Sequence, residues 1–301
     1  MTTHHPSVGL LVNATTPTVM AELASLVDYL AINPGQFFYD LGPQSNHRPR
    51  FVMAQPMLDV LAILCQGRPI SAHAFSLSLP SAEPLDLELL AAIQQVGERL
   101  GGFAWISEHL NLLAVPGHGE PHADASIALP VSYDEELLRL LGEKLRQVGQ
   151  RCQRRMLLEN PAILTPLEEM EMEEPEFLNR LYREGHCGVL LDLHNLLVSS
   201  RNGGMSTEEY LSRLDPLVVE EVHLAGGEEI HGFYMDSHSR LTPPEVWEMA
   251  AAYLPRCSNL RAITFEFNDT YFDDFGIAGI RGELEHMHQL AAACRVTSLT
   301  P

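Results

Sequence analysis

Basic residues are scarce in this chain: 19 lysines and arginines stand against 40 aspartates and glutamates, a formal charge of −21 over 301 residues. A field of that sign repels phosphate backbones, so no nucleic-acid partner is expected. Cysteine is scarce too. The five present, Cys65, Cys152, Cys187, Cys257 and Cys294, are scattered, odd in number and form no CxxC pair. That excludes a disulfide framework and leaves buried free thiols as the plain reading. No apolar run reaches the roughly 18 residues of a membrane span. The N-terminal MTTHHPSVGLLVNATT lacks a basic segment leading into an apolar core, so no signal peptide is expected and a cytoplasmic location is. The dinucleotide motif GxGxxG before a helix, the phosphate loop GxxxxGK followed by Ser or Thr, and the nucleophile elbow GxSxG are all missing. No Gly-, Ser- and Pro-rich linker divides the chain, so residues 1–301 are expected to form one domain.

What the chain does have is a repeated alternation. Eight short apolar runs read as strands, at 7–13, 28–33, 69–74, 103–109, 155–160, 187–193, 219–225 and 262–267. Several are almost continuously apolar, as strands covered on both faces of a parallel sheet must be. Between them lie stretches of helical periodicity. TPTVMAELASLV has Thr16 as a candidate cap and Pro17 in the first turn, and PMLDVLAILCQG stops at Gly67. Ser132 with Glu135 and Ser206 with Glu209 have the spacing of capping boxes, and Pro243 and Pro244 suit a helix start. The acidic LEEMEMEEPE at 167–176 reads as a solvated loop and helix entrance. Strand then helix, eight times in a chain of this length, predicts an α/β fold of the (β/α)8 TIM-barrel type.

In such a barrel the functional residues sit at the C-terminal ends of the strands. Those ends carry His73, then Glu108 and His109, then Glu159 and Asn160, then Asp192 with His194 and Asn195, then His223, and finally Glu266. Asp236 and His238 are expected in the loop after the seventh strand. Singly, each has a bland explanation: a lone histidine is usually a hydrogen-bonded core residue, and Glu159 has Arg154 and Arg155 nearby in sequence as salt-bridge partners. Jointly they are hard to bury, because convergent carboxylates and imidazoles without a counter-charge repel or stay unsatisfied. A divalent metal supplies that charge, and the donor set exceeds the three or four ligands of one zinc site, which points to more than one metal. Nitrogen and oxygen donors without thiolate suit iron, manganese or zinc, and two histidines with one carboxylate suit Fe(II) and O2 chemistry. Cys187 starts its strand, at the face opposite the active site, so a nucleophilic role is not expected there.

With those residues placed, the chain resembles the multinuclear non-haem iron-dependent oxidative enzymes, the group that includes the methanobactin-biosynthesis iron enzyme. The matching stretches are SAHAFSLSLPSAEPLD, SEHL, LLENP, CGVLLDLHNLLVSSRN, EEVHLAG, DSH and FEFND, in family order across about residues 69–269. The resemblance implies a barrel holding two or three irons as Fe2+ and Fe3+, with O2 as co-substrate. It implies a ribosomally made precursor peptide as substrate, modified at cysteine or another side chain and presented by a leader sequence or a partner protein. Carried onto this sequence, the implied ligands are His73, His109, Glu159, Asp192, Asn195, His223, Asp236, His238 and Glu266. Glu159 would be the central carboxylate, and Glu159, Asp236 and His238 the residues at the chemistry. Three positions depart from the family pattern. Gly227 stands where a second histidine is usual after HLAG, with His231 as the substitute in the following loop. Asn33 ends the second strand where a glutamate-containing motif is usual, and His194 stands where asparagine is. A metal-dependent isomerase or hydrolase on the xylose-isomerase type of barrel is the competing enzyme class, and a metal-site relic acting as a scaffold is the third reading.

Overall fold

The computed structural model describes residues 3–114, 124–167, 170–294 and 296–297. Glu168 and Glu169 of the acidic stretch, like Met1 and Thr2 of the N-terminus, lie outside them. All eight apolar runs are strands: β1 Ser7–Leu11, β2 Tyr29–Ile32, β3 Ile70–Ala74, β4 Ile106–His109, β5 Met156–Glu159, β6 Cys187–Asp192, β7 Val219–Leu224 and β8 Ala262–Phe265. Each pairs in parallel with its neighbours in sequence, and β8 pairs back onto β1, closing the barrel. The expected (β/α)8 architecture is therefore present.

Burial on both faces explains why the strands read as continuous apolar runs: every residue of β2, β3, β5, β6, β7 and β8 is buried. Outward side chains meet the helices in one large core, while Tyr29, Ala31, Trp105, Leu157, Leu190 and Ala262 form a separate cluster. Gly9 in β1 is required by a close approach, since a Cβ there would lie 2.5 Å from the Tyr29 ring. The helices are α1 Thr16–Leu23, α2 Gln55–Cys65, α3 Leu87–Arg99, α4 Glu135–Cys152, α5 Glu174–Arg183, α6 Leu193–Arg201, α7 Thr207–Arg213, α8 Pro244–Tyr253 and α9 Phe272–Ala293. The five cysteines are free, and among the described residues no helix is long and apolar enough to cross a membrane.

Several local expectations need correcting. Thr16 is the first residue of α1 rather than its cap, which is Thr15. Asp134, not Ser132, caps α4, accepting from the Leu137 amide at 2.7 Å, because the chain enters the helix two residues later than the spacing suggested. Ser206 caps α7 as expected, accepting from Glu209 N. The run at 187–193 ends at Asp192, and α6 begins at once: Asp192 Oδ1 accepts from Asn195 N at 2.7 Å, so the strand's last residue is also the helix cap. His194 and Asn195 thus belong to a first helical turn. Asp236 and His238 lie not in a loop but on Phe233–Arg240, which pairs antiparallel with Gly226–Ile230 as a ribbon rising from the barrel mouth.

Candidate metal centre

Strand periodicity and helix entry bring all nine expected residues into one connected group. At its centre Glu159, the last residue of β5, is 1% exposed. Its Oε2 lies 3.1 Å from His73 Nε2 and 3.3 Å from His109 Nε2, and its Oε1 lies 3.7 Å from His223 Nδ1 and 3.3 Å from Asn195 Nδ2. From His223 Nδ1 the chain of contacts passes to Glu266 Oε1 at 2.9 Å, then from Glu266 Oε2 to His238 Nε2 at 3.6 Å. Asp236 Oδ1 follows, 2.9 Å from both His238 Nε2 and His194 Nδ1. Asp192 borders the group, with Oδ1 turned to the helix cap and Oδ2 free.

The unpartnered atoms decide what this arrangement suits. Among the described residues thirteen buried side-chain polar atoms lack a hydrogen-bond partner, and nine of them are here: one each on His73, His109, Glu159, Asp192, His194, Asn195, His223, His238 and Glu266. Buried polar atoms are ordinarily satisfied; here they face one another at 2.9–3.7 Å without hydrogen-bond geometry, as ligand atoms gathered about a cation would. Three overlapping sets, His73–His109–Glu159, His73–His223–Glu266 and Glu159–Asp192–His223, each place their ligand atoms within 4.8 Å of one another. The sets overlap at His73, Glu159 and His223, and of these only Glu159, with two carboxylate oxygens, could serve two ions at once, since each histidine has one free ring nitrogen. The residues fit a multinuclear metal group.

The electrostatics agree. Burial pushes the His109 imidazole down to about 4, so it is neutral and offers a lone pair at physiological pH. Burial, reinforced by the charges of Glu159 and Asp236, pushes the Asp192 carboxyl well above the ordinary range. On the mouth side burial lowers His238, but Asp236, Glu266 and Asp192 together outweigh it and lift the imidazole to about 10, while His238 and His194 hold Asp236 below its ordinary value.

Other strand-end residues do different work. Glu108 turns from the cluster to accept from the Leu77 and His109 amides at 2.9 and 3.2 Å, fixing the loop after β3; burial pushes its carboxyl up to about 8. Asn160 clamps β5 to β6 through both Asp192 backbone groups, at 2.8 and 2.9 Å. Asn33 caps the turn Pro34–Phe37 by accepting from Gly35 N at 2.9 Å. His231 is exposed at the ribbon's two-residue turn, with positive φ, so it does not replace the histidine absent at Gly227. At Gly227 itself a Cβ would lie 2.0 Å from Met235 O and 2.9 Å from His194 Cε1, so the His194 ring occupies the space beside it. Two supporting residues carried no signal of their own in the sequence. Ser107 meets His73 Nδ1 at 2.9 Å and Glu221 meets His223 Nε2 at 3.4 Å. Each lies two positions before a strand-end residue, on the same inward face, and that alternation is the cue that could have found them.

A closed (β/α)8 barrel with a buried imidazole–carboxylate centre at its C-terminal mouth defines a barrel enzyme with a candidate metal site. The family follows from the sequence: the chain belongs to the RiPP precursor modification enzyme family MbnB/TglH/ChrH, whose model matches residues 21–291. Among relatives, a UPF0276 protein of Anaeromyxobacter sp. (strain Fw109-5) is 34% identical over 212 residues, covering 70% of this chain and 72% of that one. A UPF0276 protein of Bordetella pertussis is 35% identical over 216 residues, covering 70% and 73%. Among solved structures, the IOLI protein with a bound zinc atom superposes with a TM-score of 0.58 at 15% identity, covering 95% of this chain and 98% of that one. A xylose isomerase domain protein from Alicyclobacillus acidocaldarius gives 0.55 at 14% identity, covering 95% and 99%. At such identities these two establish the fold alone.

Proposed function

We propose that this protein is a multinuclear non-haem iron oxidase that uses O2 to modify a ribosomally made precursor peptide, at a cysteine or another side chain. The observation that carries the reading is the set of nine unpartnered buried donors around Glu159, in a chain of the precursor-modification family. His73, His109, Glu159, Asp192, Asn195, His223, Asp236, His238 and Glu266 would hold two or three iron ions. The bound iron would supply the redox step, with the peptide side chain as electron donor and O2 as acceptor.

The chain's own residues bind, orient and exclude water. His73, Glu159, Asp192 and His223 are each at most 1% exposed and form a dry floor. His109, His238 and Asp236 are 15%, 22% and 25% exposed, so the group opens on that side and the peptide approaches there. Asp236 Oδ1 and His238 Nε2 lie 2.9 Å apart at this rim, beside the path of an arriving thiol or amide. The precursor's leader, or a protein that carries it, is the expected second partner.

The test is incubation of iron-loaded protein with candidate precursor peptides, short cysteine-containing peptides sought among the neighbouring genes. A change in peptide mass that requires both iron and O2 supports the proposal. Turnover of a sugar or phosphate ester with manganese, magnesium or zinc, independent of O2, would replace it with the isomerase or hydrolase reading.

A further inference from the structure

Beneath the ligand group lies a second, fully buried carboxylate. Glu221 sits on β7 two residues before His223, so both side chains point into the barrel. It is 1% exposed, and four polar groups converge on it, two of which, the Tyr29 and Thr264 hydroxyls, also meet each other. Oε2 accepts from Trp105 Nε1 at 2.7 Å; Oε1 is met by Thr264 Oγ1 at 3.0 Å, Tyr29 OH at 3.3 Å and His223 Nε2 at 3.4 Å. Among the described residues no lysine or arginine comes within ion-pair distance, and His223 is its one ion-pair partner. The preceding Glu220 differs. It lies where the β6–β7 register shifts and pairs with Arg155 and Arg261.

A buried carboxylate without a lysine or arginine is costly, and apolar residues of the same volume would serve the fold as well. Its geometry suits a different task. An ionised carboxylate only accepts, so the His223 nitrogen facing it must carry the hydrogen. In the neutral, metal-binding imidazole that fixes the tautomer and leaves Nδ1 without a hydrogen, on the side where Glu266 Oε1 and Glu159 Oε1 lie 2.9 and 3.7 Å away. His73 is backed differently, by a Ser107 hydroxyl that also reaches Ala72 O at 3.3 Å. The imidazole of His223 is thus backed by a charge and that of His73 by a neutral group.

We propose that Glu221 is a positioning residue: its hydrogen bond to His223 Nε2 presents Nδ1 to the metal site, and its charge makes His223 the more strongly donating imidazole, favouring Fe(III) over Fe(II). The inference rests on the metal reading of the barrel mouth. Carboxylates behind ligating histidines act this way generally, and their loss weakens metal binding by about 10–100-fold.

The test uses iron alone as the probe, without peptide. Fe(II) affinity is measured by chelator competition under anaerobic conditions, and the Fe(III)/Fe(II) midpoint by spectroelectrochemistry. Glu221→Gln keeps the shape and removes the charge. It is expected to bind Fe(II) about 10–100-fold more weakly and to lose about tenfold in preference for Fe(III), a rise of about 59 mV for a one-electron couple. Trp105→Phe removes the indole donor from Glu221 Oε2 and leaves the charge in place. More of that charge then falls on His223, and the midpoint is expected to move the opposite way, which damage to the fold alone would not produce. Wild-type affinity and midpoint in Glu221→Gln would overturn the proposal. If that variant does not fold, an unchanged midpoint in Trp105→Phe does so instead. A wild-type protein that takes up no iron would overturn the metal reading beneath it, a result distinguishable from either.

Discussion

His73 Nε2 lies 3.1 Å from Glu159 Oε2, both groups are buried, and yet the pair makes no hydrogen bond. The other nitrogen of the ring already meets Ser107, so Nε2 is the atom left over. A lone pair and a carboxylate oxygen brought this close without a shared hydrogen need a third, positive party, and the arrangement repeats at His109 and His223 around the same glutamate.

Glu159→Ala is therefore expected to reduce bound metal by at least one ion per chain while leaving the barrel folded. Because Glu159 faces three imidazoles that hold its carboxyl below the ordinary range despite burial, and its loss leaves a cavity, the metal-free variant should melt below the metal-free parent. Metal analysis with far-ultraviolet circular dichroism checks both. His186→Ala is the matching control: His186 precedes β6, at the opposite end of the barrel, and should leave metal content unchanged.

The Asp236–His238 pair sets a pH dependence. His238 is raised from the ordinary 6.5 to about 10, so its contribution to metal-free stability is fully present below 6.5 and is lost as pH rises through about 10. Asp236 is depressed below its ordinary 3.8, so its contribution is present above that value and lost as pH falls through the lower one. The metal-free protein should lose stability from pH 6.5 upward, while metal affinity rises over the same range because a ligand histidine must shed its proton. Calorimetric titration at pH 7.5 in buffers of different ionisation heat should show at least one proton released per chain. No release would remove His238 from the ligand set.

Gly227→Ala tests the ribbon. Its Cβ would fall 2.0 Å from the Met235 carbonyl oxygen, a backbone atom that cannot swing aside. We expect a loss of stability on the order of 2 kcal/mol and displacement of Asp236 and His238, with weaker metal binding on the exposed side. Thermal melting with and without iron measures it; unchanged values would show that the ribbon yields without cost.

The barrel was legible because parallel strands covered on both faces must be apolar throughout, and their polar ends then stand out. The helix α6 was not legible: no loop separates Asp192 from Leu193, and LHNLLV continues the apolar run of β6. The ribbon hid for the opposite reason, since Phe233–Arg240 is partly exposed and its residues alternate too weakly to mark a strand. Glu221 escaped notice because a glutamate within a strand reads as solvent-facing. Only its placement two residues from His223, once the barrel is closed, turns it inward.

The most direct measurement is the metal content and visible spectrum of protein purified without oxygen. Two or three irons per chain, with absorption that changes on admitting air, is the predicted result. Protein that takes up no iron when offered it, or that holds only zinc, stays colourless under both conditions and works without O2, would contradict the account.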